Sequence, residues 1–459
     1  MFLATSFMIC NGYGLKGQNR CKTKSRSFVS GVFVMATFLL GAALYYEATA
    51  ATSPVSYAAG GVFSPYASLQ NFPYVTLTSP NAQLGGAFGY SVATSGSIVV
   101  VGAIFSEEHA YIFDAKNGGL INTLTSPTAE PFGGFGVSVA TNGNIVVVGA
   151  NLQTANGQMR AGHAYTFNAT TGSLISMLTS PNAQLEGDFG YSVAASGDLV
   201  VVGAPFETVN GQGAGHAYVF NATTGTLIIT LTSPNNQLGA QSSFGFSVAT
   251  SGNIVVVGAQ VETANGLPAA GHAYVFNATN GALISTLTSP NAQSLGVFGV
   301  SVAANGNIVL VGAPYESANG LRAAGHAYAF NAETGSLISI LTSPDAESYG
   351  VFGLSVGIRG NIVVVGAPFE TADGQGGAGH TYTFNAVTGI LISTLTSPNV
   401  QVGSGFGMSV AASGNTLVIG APFEAVTAFE QSAGHAGHAY ASRLAPATGS
   451  PDCSKRCED

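Results

Sequence analysis

The chain has 459 residues and a formal net charge of −9, yet only 7 % of its residues are charged, against about 25 % in an average soluble protein. Five of the 12 basic residues (Lys16, Arg20, Lys22, Lys24 and Arg26) precede residue 27. The remainder is too poor in cations to track a phosphate backbone, which argues against nucleic acid as a partner.

The basic cluster leads into FVSGVFVMATFLLGAALYY, residues 28–46, which carries no charge, and then into EATAATS, where Ala48-Thr49-Ala50 fits a small-residue cleavage site. This order reads as an export signal, and the length of the apolar run also approaches a membrane span. Residues 1–50 are therefore expected to be a signal peptide or a single N-terminal anchor, and residues 51–71 a linker. Everything after residue 50 is expected outside, secreted or on the cell surface, with the membrane touched only by the N-terminal segment.

From residue 72 the chain repeats. A Phe-Gly pair recurs at Phe88, Phe135, Phe189, Phe244, Phe298, Phe352 and Phe406, with spacings of 47, 54, 55, 54, 54 and 54. A near-constant period of this size signals a solenoid, propeller or array. The unit from Phe189 supplies four predicted strands. FGYSVA alternates bulky and small residues, as packed sheets require. LVVVGAP is a continuous β-branched run, the mark of burial on both faces. GHAYVF alternates again, and TLIITLTS stops at Pro234. The connections ASGD and NATTG are short and carry Gly where φ > 0 is wanted. Each unit is thus an antiparallel meander.

The seventh unit ends at GHAYASRLAP without a fourth strand, while an orphan fourth strand, YVTLTSPNAQ, stands at residues 74–83 before the first Phe-Gly. An open array would want dissimilar capping repeats. The predicted fold is all-β: a closed seven-bladed β-propeller over residues 72–445, its four-stranded antiparallel blades completed in the last blade by the N-terminal strand. Residues 446–459 form a tail whose Cys453 and Cys457 could close only a small loop.

The Phe-Gly pairs, together with Gly203-Ala204-Pro205, Gly312-Ala313-Pro314, Gly366-Ala367-Pro368 and Gly420-Ala421-Pro422, resemble the FG-GAP repeat of integrin α subunits and microbial surface proteins. That resemblance implies a propeller acting in extracellular binding or adhesion. It also implies calcium loops between strands 1 and 2, but the turns here (TSGS, TNGN, ASGD, TSGN, ANGN, IRGN and ASGN) hold a single carboxylate, Asp198. Calcium wants six to eight oxygens, several of them charged, so no metal site and no cofactor is expected. The strand 3–4 segment is also similar to quinoprotein propellers, whose docking tryptophans this chain lacks.

Seven of the eight histidines fall in one slot: His109, His163, His216, His272, His326, His380 and His438. Placed in separate blades they are not expected to converge on a metal. Each is read as a half-buried ring bonded to a neighbouring backbone group. Glu207, Glu262, Glu316, Glu370 and Glu424 form a second series after the GAP motif. They are read as carboxylates bonding turn amides, with a weak cation contact around one rim as the alternative. Asn168, Asn221 and Asn277 open glycosylation sequons in turns that also occur without the sequon.

Near-identical blades, few charges and no asymmetric constellation argue against an enzyme. Loops 2–3 and 4–1 share one face and hold the variation: Met159, Arg160, Leu267, Leu321, Arg322, Tyr349 and Phe429. Variable loops on a rigid frame are where recognition resides. The expected role is a non-catalytic binding or adhesion module for an extracellular protein or glycan. The alternatives are a self-associating envelope protein and, behind it, a secreted enzyme on the same scaffold.

Overall fold

In the computed structural model, which describes residues 74–443 apart from 129, 210–211, 236–241 and 426–434, each β-branched run becomes a strand. The structure divides into the units Met1–Gly60 and Gly61–Asp459, and every described residue lies in the second. The expected export segment, linker, C-terminal tail and Phe429 lie outside the described residues. Among the described residues no helix is long and apolar enough to cross a membrane.

Seven four-stranded antiparallel sheets form the seven blades. Blade 3 runs Ser192–Ser196, Leu199–Ala204, His216–Asn221 and Leu227–Leu231, adjacent in that order. First strands of successive blades pack on one another around the whole ring, and that of blade 7, Ser409–Ser413, meets Phe88–Ser95 of blade 1. The fourth strands are therefore outermost. Tyr74–Leu77 completes blade 7 by pairing with His438–Arg443, Tyr74 opposite Ser442 and Leu77 opposite Ala439.

The second strand is buried on both faces, with Val200, Val201 and Val202 all fully inaccessible. Between blades this produces a row of apolar clusters: Val201 and Val219 of blade 3 pack with Val257 and Tyr274 of blade 4. Within blade 3, Phe189 meets Tyr218 at 5.7 Å and Phe220 edge-on at 5.9 Å, the offset geometry aromatic pairs prefer.

The two motif glycines make the blade junction. Ser192 Oγ donates to Gly245 O of the next blade at 2.8 Å. The same bond recurs at every junction, ending with Ser409 to Gly89, which closes the ring. A Cβ on Gly203 would stand 2.0 Å from Gly245 O and 2.3 Å from Ser192 Oγ, so no larger residue fits.

One expected strand is shorter than its sequence pattern. FGYSVA does not run as one strand: in blade 3 it begins at Ser192, and in blade 1, where it begins at Phe88, the register breaks between Phe88 and Ser91. Gly190 adopts φ +91 and the Tyr191 amide bonds Asp188 O, so Phe-Gly is a turn that sends Phe189 into the core.

Candidate functional site

The histidine and glutamate series turn out to be one structural device. Strand 3 lies inside the sheet, and His163, His216, His326, His380 and His438 are buried rather than half-buried. His109 and His163 do face backbone oxygens, Glu107 O and Thr154 O. The other five instead place Nδ1 2.9–3.3 Å from the carboxylates of Glu207, Glu262, Glu316, Glu370 and Glu424, without hydrogen-bond alignment.

Those glutamates do not bond turn amides, nor do they line an accessible rim. Each is sealed from solvent and accepts a tyrosine hydroxyl, as Glu207 does from Tyr218 and Glu262 from Tyr274, both at 2.5 Å. The serine of the preceding Thr-Ser-Pro joins the cluster: Ser233 donates to Glu262 at 2.5 Å and Ser79 to Glu107 at 2.9 Å. A buried carboxylate needs such donors, and they come from two adjacent blades. Burial, reinforced by the neighbouring Glu207 carboxylate, raises the Tyr218 hydroxyl well above its ordinary value; the same causes push Tyr111 up to about 12 beside Glu107.

Glu107 and Gln153 belong to the series and were missed, because the loop before His109 is contracted and Gln replaces Glu in blade 2. Gln153 nonetheless accepts from Tyr165 at 2.6 Å and donates to Ser126 at 2.7 Å. The turn amides are held by the 4–1 loops instead, through Gln184 to Thr208 N and Gln293 to Ser317 N.

The expected binding residues sit on the loop face but in different blades. Met159 and Arg160 lie in blade 2, Leu267 in blade 4, Leu321 and Arg322 in blade 5, and Tyr349 in the turn entering blade 6. The structure brings together Arg322 and Tyr349, with the guanidinium 6.0 Å from the ring centroid, a cation–π distance. Arg160 faces inward, 3.7 Å from Glu186 and 3.6 Å from Asp188. Asp188 is 3 % exposed and takes a hydrogen bond from Asn151 Nδ2 at 3.2 Å. Burial pushes this carboxyl up to about 7, against the opposing pull of Arg160 and Asn151.

The 2–3 and 4–1 loops carry large apolar side chains beside exposed polar ones such as Asn156, Gln158, Asn265 and Asn319. The residue after each Phe-Gly is large (Tyr90, Val137, Tyr191, Phe246, Val300, Leu354, Met408) and stands at the loop-face end of the innermost strand. Tyr191 meets Phe246 of the next blade at 4.8 Å and Phe206, the residue after its own blade's GAP, at 5.9 Å. Farther along the 4–1 turns, Leu84, Phe132, Leu185, Leu295, Tyr349 and Val402 are all exposed.

Three of these are also held against their own preference. Phe132, Leu295 and Tyr349 are 78 %, 67 % and 47 % exposed and adopt φ of 59°, 63° and 65°. Blades 1 and 7 place Gly85 and Gly403 at the equivalent position, with φ 73° and 69°. A bulky residue at φ > 0 costs about 1 kcal/mol or more, and here the side chains stay largely or half exposed. The sequence signal is an apolar residue three or four before Phe-Gly, and only Tyr349 of this group is among the expected binding residues. The acidic groups nearby are engaged internally: Glu108 accepts from Gly134 N at 2.7 Å and Glu130 from Thr154 N at 2.7 Å.

Comparison with known proteins agrees with this architecture. The FG-GAP repeat matches residues 120–167, 174–220, 237–276, 283–330, 336–384 and 391–441. Most matches run from an outermost strand through the third strand of the next blade, so the sequence repeat is offset against the blade in the way the ring closure demands. No curated protein matches the chain. The computationally designed Ika8 protein, a solved structure, is 19 % identical over 80 % of this chain and 99 % of its own, with a TM-score of 0.47; that likeness carries no argument. Repeats matching over half of the sequence, on seven blades joined through their motif glycines, make this chain a member of the FG-GAP repeat family.

Proposed function

We propose that this FG-GAP propeller, a fold commonly used as a binding module, is an exported or surface-displayed, non-catalytic adhesion module that recognises a protein partner through its 2–3 and 4–1 loop face. The observation that carries the reading is the set of exposed apolar residues on that face, three of them kept in backbone conformations that glycine would adopt more cheaply. Strained positions whose side chains stay exposed point to a use outside the fold, and exposed apolar residues repeated around one face mark an interaction site. A face carrying this many exposed apolar side chains suits a protein surface better than a glycan.

The test is a binding measurement on the immobilised protein against fractionated cell-surface proteins and a glycan panel, with and without chelator. Saturable, chelator-insensitive binding of a purified surface protein, lost in the Phe132→Gly/Leu295→Gly/Tyr349→Gly variant, is the expected result. Binding that requires a divalent cation, or that survives the triple substitution, would refute it.

A further inference from the structure

We infer that the outer rim of the propeller is a second interaction surface, on which another copy of this chain pairs strand to strand. This inference does not depend on the loop-face reading. The outermost strands Leu120–Thr125, Leu174–Thr179, Leu227–Leu231, Leu283–Leu287, Leu337–Leu341 and Leu391–Leu395 each pair on one side only. A β-edge offers a row of backbone donors and acceptors that only another strand can satisfy in register. Soluble proteins blunt such edges with lysines, prolines or inward charges, and none of these six strands contains a charged residue or a proline. Their sequences run LINTLT, LISMLT, LIITL, LISTL, LISIL and LISTL, and Ile121, Ile175, Met177, Ile228, Ile340 and Ile392 are exposed.

Charge selects the occupant. A strand of either sign would have to shed its hydration against this uncharged rim, whereas the rim itself, Leu and Ile interleaved with Ser and Thr, matches its own chemistry. Antiparallel pairing of a strand with its own copy about a two-fold axis is isologous and closes without a free surface. The chain already completes a blade in this manner, with the uncharged Tyr74–Leu77 adding to an edge whose sequence lies far away. A single edge contact of five or six residues falls well below the roughly 1,200–2,000 Å² of a stable interface. The edges recur around a ring and face different directions, so each takes its own partner copy, and the expected assembly is weak, concentration-dependent and extended, not a discrete dimer.

Sedimentation velocity of the full chain from micromolar to millimolar concentration tests this. Reversible self-association is expected, with the apparent Kd raised about tenfold or more in an Ile121→Lys/Ile175→Lys/Ile228→Lys/Ile340→Lys variant whose unfolding midpoint is unchanged. A Met177→Cys variant, oxidised and mapped by peptide mass spectrometry, should cross-link to the same position of a second copy. A chain that stays monomeric throughout overturns the inference, as does undiminished association in the lysine variant. Association abolished by the loop-face glycine substitutions would also overturn it, because the copies would then meet through the other surface.

Discussion

Glu316 shows what a single residue does in this fold. Its carboxylate is fully buried, accepts the Tyr328 hydroxyl and lies 3.1 Å from His326 Nδ1. Removing the acceptor leaves buried donors unsatisfied, a change of the class that destabilises most. Glu316→Ala should therefore lower stability by about 2–3 kcal/mol in chemical denaturation, and Tyr328→Phe by about 1 kcal/mol. Equal stability of wild type and Glu316→Ala would return the glutamates to the turn-amide role read from the sequence.

Asp188 gives the residue scale its pH dependence. Because burial raises its folded pKa to about 7, above the unfolded value near about 3.9, the folded state holds the extra proton between those limits. Stability contributed by the neutral carboxyl is fully present below about pH 4 and is lost as pH rises through about 7, with a slope of at most about 1.4 kcal/mol per pH unit. In Asp188→Asn that component should vanish from the pH–stability curve. A wild-type curve superimposable on that of the variant would show that Arg160 keeps the carboxylate ionised.

At the scale of the element, the junction glycines carry the argument. The Gly203 Cα faces the Gly245 carbonyl so closely that a methyl group would overlap it, and the alternative is to push two blades apart. Gly203→Ala should cost several kcal/mol, about 3 or more, whereas Ser192→Ala, which removes one inter-blade hydrogen bond, should cost about 1 kcal/mol. Denaturation midpoints of the two variants distinguish a steric junction from one held mainly by its hydrogen bond.

The elements themselves were legible in the sequence because period-2 patterning and Gly-bearing turns agree in every repeat. The break after Phe-Gly was not, since FGYSVA alternates as a strand would and only the positive φ of Gly190 reveals the turn. The histidine partners were also out of reach. His216 and Glu207 are nine residues apart across a loop, and the serine and asparagine that complete the cluster, such as Ser180 and Asn182, come from the neighbouring blade, where no local pattern points. The Asn-Gly pair of loop 2–3 is by contrast a local turn signal, and Asn265 at φ 52° and Gly266 at φ 78° form that turn.

For the whole molecule, the sequence contained the ring: an orphan strand before the first repeat and a missing strand after the last could be reconciled only by closure, and Tyr74–Leu77 performs it. The loop face was legible in position but not in chemistry. Arg160 and Arg322 stand out in a chain with 12 basic residues, yet Arg160 is turned onto Glu186 and Asp188 and Arg322 onto Tyr349. Of the apolar residues of the 4–1 turns only Tyr349 was among the expected binding residues; the exposure and backbone angles of Phe132 and Leu295 place them on the same face. Their burden on the fold is the quantity that separates a binding face from a packing accident.

The unfolding midpoint of the Phe132→Gly, Leu295→Gly and Tyr349→Gly variants, singly and together, measures that burden without knowledge of the partner. The account predicts that each glycine leaves the fold intact and raises its stability, by about 0.5–1 kcal/mol per site, because side chains kept for another molecule are being removed. A fall in stability at these sites would contradict it, and would make the exposed residues part of what holds the propeller together.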